Sequence, residues 1–469
     1  MPVNTTVAAL SSQCRTDRSE DSRLIQPFPK TIVFLLVLLV SFALPSSAQT
    51  NTGNGKNTQQ LQPKQLIILT SFSEQVSAKL ASGYRLSHPD VRVRFLHKKT
   101  PAALTHLQMH MLPRPDLVMA SAVDAMDWLS SAGQLQPLNT DDRINYTPFG
   151  YSGYGFMWHS AYLQQYNLAA PKSWQQLLQP QYQGHIAMSS PIRSGTTHVM
   201  VEMILQEKGW REGWAYIHQL AGNLATITAR SFGVSQGVVR QRFGIGLVID
   251  FFAFSAAAKQ PEIGFSYSSP TTFLPVSVGI VKDSSSTAQA KDFVRYLLSD
   301  SGQQSLLSPV ISRYPINADL LQQHPEHILS QHRLQQRYTL DYDHKLAVRR
   351  YHLVNALFEY SVTYRLAFLQ RAWRIIYRLQ QLPLLQSSAH LSERLNAIMT
   401  QLKQTPFSEL QLTDSTLLEK FSKPIPGRQL SKVQQQLQDQ WQQWDQAQQD
   451  RVMRALIQLE AALLPMDAP

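Results

Sequence analysis

From Gln65 to Asp283 the chain keeps returning to one pattern. A short apolar run ends in hydroxyl residues, and a stretch with apolar residues three and four apart follows. "QLIILT" (65–70) ends at Ser71-Phe72-Ser73 and leads into the helical pattern "SEQVSAKLASGYRLSHP". "VRVRFLH" alternates as a strand does, and "DLVMAS" (116–121), "GHIAMSSP" (184–191), "LATITARS", "FGIGLVIDFF" and "PVSVGIVKD" (275–283) continue the series. Strands that alternate with helices predict an α/β protein with a mostly parallel sheet. The 469 residues are enough for two or three domains with sizeable cores.

Sheets of this kind bind ligands beyond the carboxyl ends of their strands. The residues at those ends are Ser71 and Ser73, Ser121, the loop Ser190–Thr197, Arg230-Ser231 and Asp250. The most informative is "SPIRSGTTH" (190–198), which runs directly into "VMVEMILQEKG". Val199, Met200, Met203 and Ile204 share a helical face, and Gly209 is placed to end that helix. The hydroxyls of Ser190, Ser194, Thr196 and Thr197 therefore gather at a helix start, where unpaired N–H groups and the dipole favour an anion. Gly195 lets a ligand approach the backbone, and Arg193 can grip two oxygens of a phosphate or carboxylate. Taken singly, Ser71 and Ser121 also read as caps or turns, and Arg230 as a surface charge. Asp250 sits between "GLVI" and "FFAF", so its carboxylate needs a partner.

Composition narrows the remaining classes. The net charge of +11 attracts anions without naming them. Residues 1–48 read as a secretory signal: Arg15, Arg18, Arg23 and Lys30 precede the apolar run "TIVFLLVLLVSFAL" (31–44), and "PSSAQT" offers cleavage near Ala48–Gln49. Residues 49–64 read as a polar, flexible leader. The single cysteine, Cys14, precedes the apolar run, so cleavage would leave no disulfide, thiolate metal site or cysteine nucleophile. No zinc motif, P-loop or dinucleotide fingerprint is present, and no cofactor is expected. No nucleic-acid recognition module accompanies the charge. Gly233-Val-Ser235-Gln-Gly237 matches the nucleophile-elbow pattern, with Asp250 and His324 or His327 as formal triad partners. The polar residues before it argue against a strand running straight into Ser235, which reads instead as the cap of a helix "QGVVRQRF".

From about residue 319 the character changes. Glycine nearly disappears, and "HKLAVRRYHLVNALFEYSVTYRLAFLQRAWRIIYRLQQL" (344–382) carries Val354, Phe358, Val362, Leu366, Leu369, Trp373 and Ile376 as a helical stripe. Helices are also expected at 391–404 and at the Gln-rich 430–464. Arg365, Arg371, Arg374 and Arg378 would form a solvated cationic face or a docking face for an anionic lipid or partner.

"PDLVMASAVDAMDWL", "GYGFMWH", "PKSWQQLLQPQYQGHIAMSSPIRSGTTHVMVEMIL" and "ARSFGVSQGVVRQRFGIGLVIDFF" resemble the type II extracytoplasmic solute-binding proteins of ABC importers, in the branch for iron(III), sugar-phosphate and phosphoglycerate uptake. The resemblance covers about 65–318. It implies an α/β, two-lobed type II periplasmic-binding-protein fold with a long α-helical C-terminal extension. Lobe one would be 65–150 with 268–318, lobe two 151–267, and the extension 319–469. The crossings would lie near "FGYSGYG" (149–155) and "GFSYSSP" (264–270), with Tyr151, Tyr154 and Tyr267 as hinge or cleft residues. The resemblance further implies a periplasmic protein, peripheral to the inner membrane, that closes over its ligand and meets an ABC permease or a membrane sensor kinase, with no enzymatic activity. The ligand set would be Ser71, Ser73, Ser121, Ser190, Arg193, Ser194, Gly195, Thr196, Thr197, Arg230, Ser231 and Asp250, the last accepting from ligand hydroxyls. Iron-binding relatives hold the cation through paired tyrosines. This chain has no Tyr-Tyr pair, and "ARSFGV" stands where one is expected. A small phosphorylated organic anion, a phosphoglycerate or sugar phosphate, is therefore expected over iron.

Overall fold

The computed structural model describes residues 64–137, 145–332, 340–414 and 432–463, together with Leu418 and Phe421. The expected signal segment, and the leader up to residue 63, lie outside these.

Ten strands make the sheet: β1 (Lys64–Thr70), β2 (Val91–His97), β3 (Leu117–Ala120), β4 (Thr147–His159), β5 (Ile186–Ser189), β6 (Leu224–Thr228), β7 (Ile245–Ile249), β8 (Ile263–Tyr267), β9 (Phe273–Ile280) and β10 (Tyr314–Pro315). Their order is β2-β1-β3-β9-β4-β7-β5-β6, with β8 and β10 also paired to β4. The sheet is less parallel than the sequence suggests. β1 runs parallel to β2 and β3, and β5 parallel to β6 and β7, but every pairing of β4 and β9 is antiparallel. The long strand β4 joins the two parallel groups. Its residues up to Gly153 pair with β9, and from Tyr154 they pair with β7 and β8. "FGYSGYG" and "GFSY" are thus paired strand, because alternating small and aromatic residues fit where two sheets share one strand. A Cβ at Gly155 would meet the Ser266 carbonyl and Tyr267, so only glycine allows that close pairing.

Helices cover both faces: α1 (Glu74–Ser87), α2 (Thr100–Gln108), α3 (Val123–Ser131), α4 (Ser160–Gln165), α5 (Gly195–Lys208), α6 (Trp210–Asn223), α7 (Ser231–Val239), α8 (Asp250–Ala257), α9 (Thr287–Leu298) and α10 (Asp300–Leu306). Leu66, Ile68, Met119, Val276 and Val278 pack with α1 and α9, while α2 and α3 cover the opposite face of the same strands. Around β7, the helices α7 and α8 form one core and α5 and α6 another. The latter core extends well beyond the sheet.

The C-terminal part is helical, as its glycine-poor stripes predict: α11 (Asp319–Gln322), α12 (Ile328–His332), α13 (His344–Phe358), α14 (Leu366–Gln380), α15 (Pro383–Ser387), α16 (Ala389–Leu402) and α17 (Lys432–Leu463). The expected single helix 344–382 is broken by a π-helical turn, Glu359–Thr363, between α13 and α14. This region does not stand apart. Trp373, Ile376, Leu395, Trp441 and Leu456 share one apolar cluster with Trp214, Ile217 and Ala221 of α6. The Trp373 ring lies against Gly222, where a Cβ would collide with it. Burying that indole contributes on the order of 5 kcal/mol of gross hydrophobic free energy. Trp210 donates to the Phe407 carbonyl and Tyr377 to that of Leu178. The cationic face expected of α14 is smaller than its sequence suggests. Arg365 is buried and paired with Asp445, Arg378 is paired with Glu460, and Arg371 and Arg374 remain exposed.

The buried position of α5 explains its weak amphipathicity. His198, Val199, Met200, Val201, Glu202, Met203, Ile204 and Leu205 are all buried, because the sheet lies on one side and α13 and α6 on the other. Gly209, at φ 79°, ends the helix as its position predicts.

Candidate functional site

A cavity of about 720 Å³ opens where the carboxyl ends of β1, β2 and β3 face those of β5, β6 and β7. Its volume suits a small ligand. The starts of four helices line it: Ser73-Glu74 of α1, Lys99-Thr100 of α2, Ser194-Gly195 of α5 and Arg230-Ser231 of α7. Ser73 accepts from Val76 N–H and Ser194 from Thr197 N–H, so α1 and α5 are capped by their own serines. No side chain caps α2 or α7. Those two starts present amide donors, and all four dipoles direct positive potential inward.

The side chains have the same sign. Lys98, Lys99, Arg193, Arg230, Arg240, Lys259 and Arg313 line the cavity, against one carboxylate among the described lining residues, Glu74. Lys99, Arg193 and Arg230 crowd together from opposite sides. Desolvation, then the charges of Arg230 and Arg193, lower the Lys99 pKa. Beside them the two sides touch. A Cβ on Gly195 would stand 2.7 Å from Ala122 Cβ and 3.0 Å from Thr100 Oγ1. Glycine is needed there so that the α5 start can meet β3 and α2, a sharper requirement than ligand access alone.

Arg313 was not apparent from the sequence. It is 1% exposed, yet it reaches the cavity. Its Nη2 donates to Ser121 Oγ and its Nη1 to Ser152 Oγ, each at 3.0 Å. The guanidinium lies 4.8 Å from the Phe72 ring centre and 4.0 Å from that of Phe251. Its Nε has no partner among the described residues. Burial lowers its pKa to about 10, with the charge of Asp250 opposing, so it stays protonated at neutral pH. A desolvated cation with a spare donor is a costly thing to keep in a fold without an anion to receive. The one sequence signal was an arginine inside "VISRYPI", where apolar neighbours offer it no water.

Of the expected ligand residues, Ser71, Ser73, Ser121, Arg193, Ser194, Gly195, Thr196, Arg230 and Ser231 line the cavity. Ser190, Thr197 and Asp250 do not. Ser190 is buried and donates to Glu359 Oε2 at 3.2 Å. Thr197 is buried and bonded to Ser189 and Ser194. Asp250 accepts from Gly153 N–H (2.6 Å), Phe251 N–H (2.7 Å) and the Tyr267 hydroxyl (3.0 Å), so its oxygens are occupied where β4 changes partners. Burial pushes its carboxyl up to about 7, against the pull of Gly153 N–H, Tyr267 and Arg313.

Tyr151, Tyr154 and Tyr267 do not line the cavity either. Burial raises the pKa of both the Tyr154 and the Tyr267 phenol. Ser235 lies inside α7 rather than at its cap, and its hydroxyl donates to the Phe252 carbonyl at 3.4 Å. Gly233–Gly237 is therefore helix, not a strand-to-helix elbow. His324 and His327 line a separate cavity with Lys79 and Tyr296.

Two α/β halves thus share one strand, with a cationic cleft between them. The chain belongs to the bacterial extracellular solute-binding proteins, whose family model matches residues 121–337. It is 30% identical over 369 residues to the phosphoglycerate transport regulatory protein PgtC of Salmonella typhimurium and of Salmonella typhi, spanning 76% of this chain and 90% of theirs. Among solved structures it resembles the periplasmic binding protein AfuA from Actinobacillus pleuropneumoniae with fructose-6-phosphate bound (16% identity, TM-score 0.55, 63% of this chain and 98% of that one). It also resembles the apo ferric ion-binding protein A of Pasteurella haemolytica (12% identity, TM-score 0.52, 63% and 97%). These likenesses identify the two-lobed fold of type II periplasmic binding proteins. Among the described residues no helix is long and apolar enough to cross a membrane.

Proposed function

We propose that this protein captures a small phosphorylated organic anion, a phosphoglycerate or a sugar phosphate, for ABC import, for sensing through a membrane kinase, or both. The observation that carries this reading is the cleft's charge: seven cations, four helix starts and one carboxylate. Lobe one would be 65–150 with 268–318 and lobe two 151–267, the chain crossing between them near Gly153 and Ser268. The protein would reach the periplasm through its N-terminal signal, residues 1–48.

Capture would proceed in three physical steps. The positive cleft raises the local concentration of a phosphate dianion and speeds its arrival. Lys99, Arg193 and Arg230 then receive the phosphate, with amide donors from the α2 and α7 starts. Arg313, deeper between Phe72 and Phe251, adds its positive charge near the organic part. Ser71 and Ser231 supply donors and acceptors for hydroxyl groups. The names of the PgtC and AfuA relatives are consistent with this ligand class. The cationic lining, and the lack of tyrosine among the described residues that line the cavity, speak against iron(III).

Calorimetry tests the reading. The ligands are 3-phosphoglycerate, phosphoenolpyruvate, glucose 6-phosphate, inorganic phosphate and ferric citrate, each repeated with Arg193→Ala. Tight binding of an organic phosphate is expected, weakened tenfold or more by the substitution (about 1.4 kcal/mol). Binding of iron alone, indifferent to Arg193, would overturn it.

A further inference from the structure

The C-terminal extension is attached to the two sides of the cleft by different chemistry. On the α6 side the attachment is apolar and extensive, through α14, α16 and α17. On the other side it is smaller: α13 packs against α3, whose Val123 joins the same apolar cluster, and a short polar crossing leads into that contact. Leu340 N–H donates to the Thr271 carbonyl at 2.6 Å. The buried Tyr342 hydroxyl donates to Asp124 Oδ2 at 2.9 Å, at the start of α3. The same carboxylate stands 3.8 Å from Nε2 of His198 on α5. So Asp124, carried by the β3 half, meets α5 of the β5 half and the extension at one buried point.

From there α13 runs along α5 to the loop that bears Arg193. Arg350 forks onto Glu202 at 2.7–3.0 Å, and Asn355 bonds His198 Nδ1 at 2.9 Å. Glu359 then accepts from Ser190 at the base of that loop, at the first residue of the π-helical turn. π-turns inside helices recur at functional sites because they re-aim side chains. One continuous segment thus touches the α3 side, the α5 side and the anion loop, and lines none of the cavity.

We propose that Leu340–Glu359 is a latch that holds the cleft closed, with Tyr342 and Glu359 as positioning residues for ligand capture. Separating the halves must either break the Tyr342–Asp124 contact and part α13 from α3, or pull the extension off α5 and α6, and the α3 side is the smaller attachment. Closure and docking of the latch are then one equilibrium, and the extension reports cleft state to whatever meets its outer face. The inference rests on the two-lobed capture reading for its purpose, but not for its test.

The test uses the full chain with Cys14→Ser and spin labels at Lys79→Cys on α1 and Arg211→Cys on α6, both exposed. Pulsed electron resonance without ligand should give a dominant short distance. Tyr342→Phe should move the population towards a longer distance, by up to about tenfold for one lost buried hydrogen bond. Adding 3-phosphoglycerate should restore the short one. Glu359→Leu should speed dissociation of 3-phosphoglycerate, and Glu359→Gln, which keeps an acceptor for Ser190, should rescue it. An unchanged distance distribution in Tyr342→Phe, whether or not its melting temperature falls, would overturn the latch. A distance shift that 3-phosphoglycerate does not reverse would leave the latch standing and count against the ligand assignment.

Discussion

Replacing Arg313 by methionine should move stability and affinity in opposite directions. The guanidinium is buried, holds two serines, meets no carboxylate in an ion pair among the described residues and has an idle Nε. Exchanging a buried charged group for an apolar one of similar volume is often neutral or stabilising, by about 1–4 kcal/mol. The lost bonds to Ser121 and Ser152 take back roughly 1 kcal/mol each. The net for the empty protein therefore runs from about 1 kcal/mol of destabilisation to about 2 kcal/mol of stabilisation, centred on a slight gain and at most several degrees in Tm. Binding loses a charge-assisted contact worth about 1.5–3 kcal/mol, or roughly 10- to 150-fold in Kd. Arg313→Lys should fall between, since it keeps the charge and loses the planar fork. Scanning calorimetry on the empty protein and titration with 3-phosphoglycerate read the two effects separately. Binding of Arg313→Met as tight as that of the parent, or a loss of clearly more than about 1 kcal/mol of stability together with affinity, would show that Arg313 is a structural cation.

Three further outcomes follow from the same geometry. Gly195→Val should weaken ligand binding at least tenfold and lower the melting temperature of the empty protein, because its side chain would push Ala122 and Thr100 away from the α5 start in the closed cleft. An unchanged Kd would mean that the cleft need not close there. Arg350→Ala should destabilise by about 3–5 kcal/mol, because Glu202 is left buried and unpaired; a urea midpoint near that of the parent would refute this. Acid should weaken the fold through His218, which is buried against the Lys403 carbonyl and whose pKa is lowered to about 3 by burial and then by the charge of Arg365. The native state binds fewer protons there than the unfolded chain, so the contribution is complete above pH 6.5 and is lost as pH falls towards 3. His218→Gln, with urea midpoints measured across that range, should flatten the slope, and an unaltered slope would contradict the assignment.

Much of the strand and helix pattern was legible because each strand announces itself by an apolar run and each helix by its spacing. The cleft was legible for the same reason: the loops carrying Ser71, Ser121, Arg193 and Arg230 all follow recognisable strands. What escaped depends on distant partners. The pairing of β4 escaped because its small and aromatic residues answer to β9, β7 and β8, which lie far along the chain. Asp250 reads as a ligand acceptor because nothing local shows that Gly153 and Tyr267 will occupy it. Arg313 follows no element that points to the cleft. The extension's helices were visible, but not their seat on α6. Removing the extension would expose Trp214, Ile217 and Ala221.

The most direct measurement is a crystal structure of the protein grown with 3-phosphoglycerate. A phosphate within hydrogen-bonding distance of Lys99, Arg193 and Arg230 is expected, with the rest of the ligand directed towards Arg313. A ferric ion held by tyrosines, or a phosphate bound anywhere outside this cleft, would contradict it.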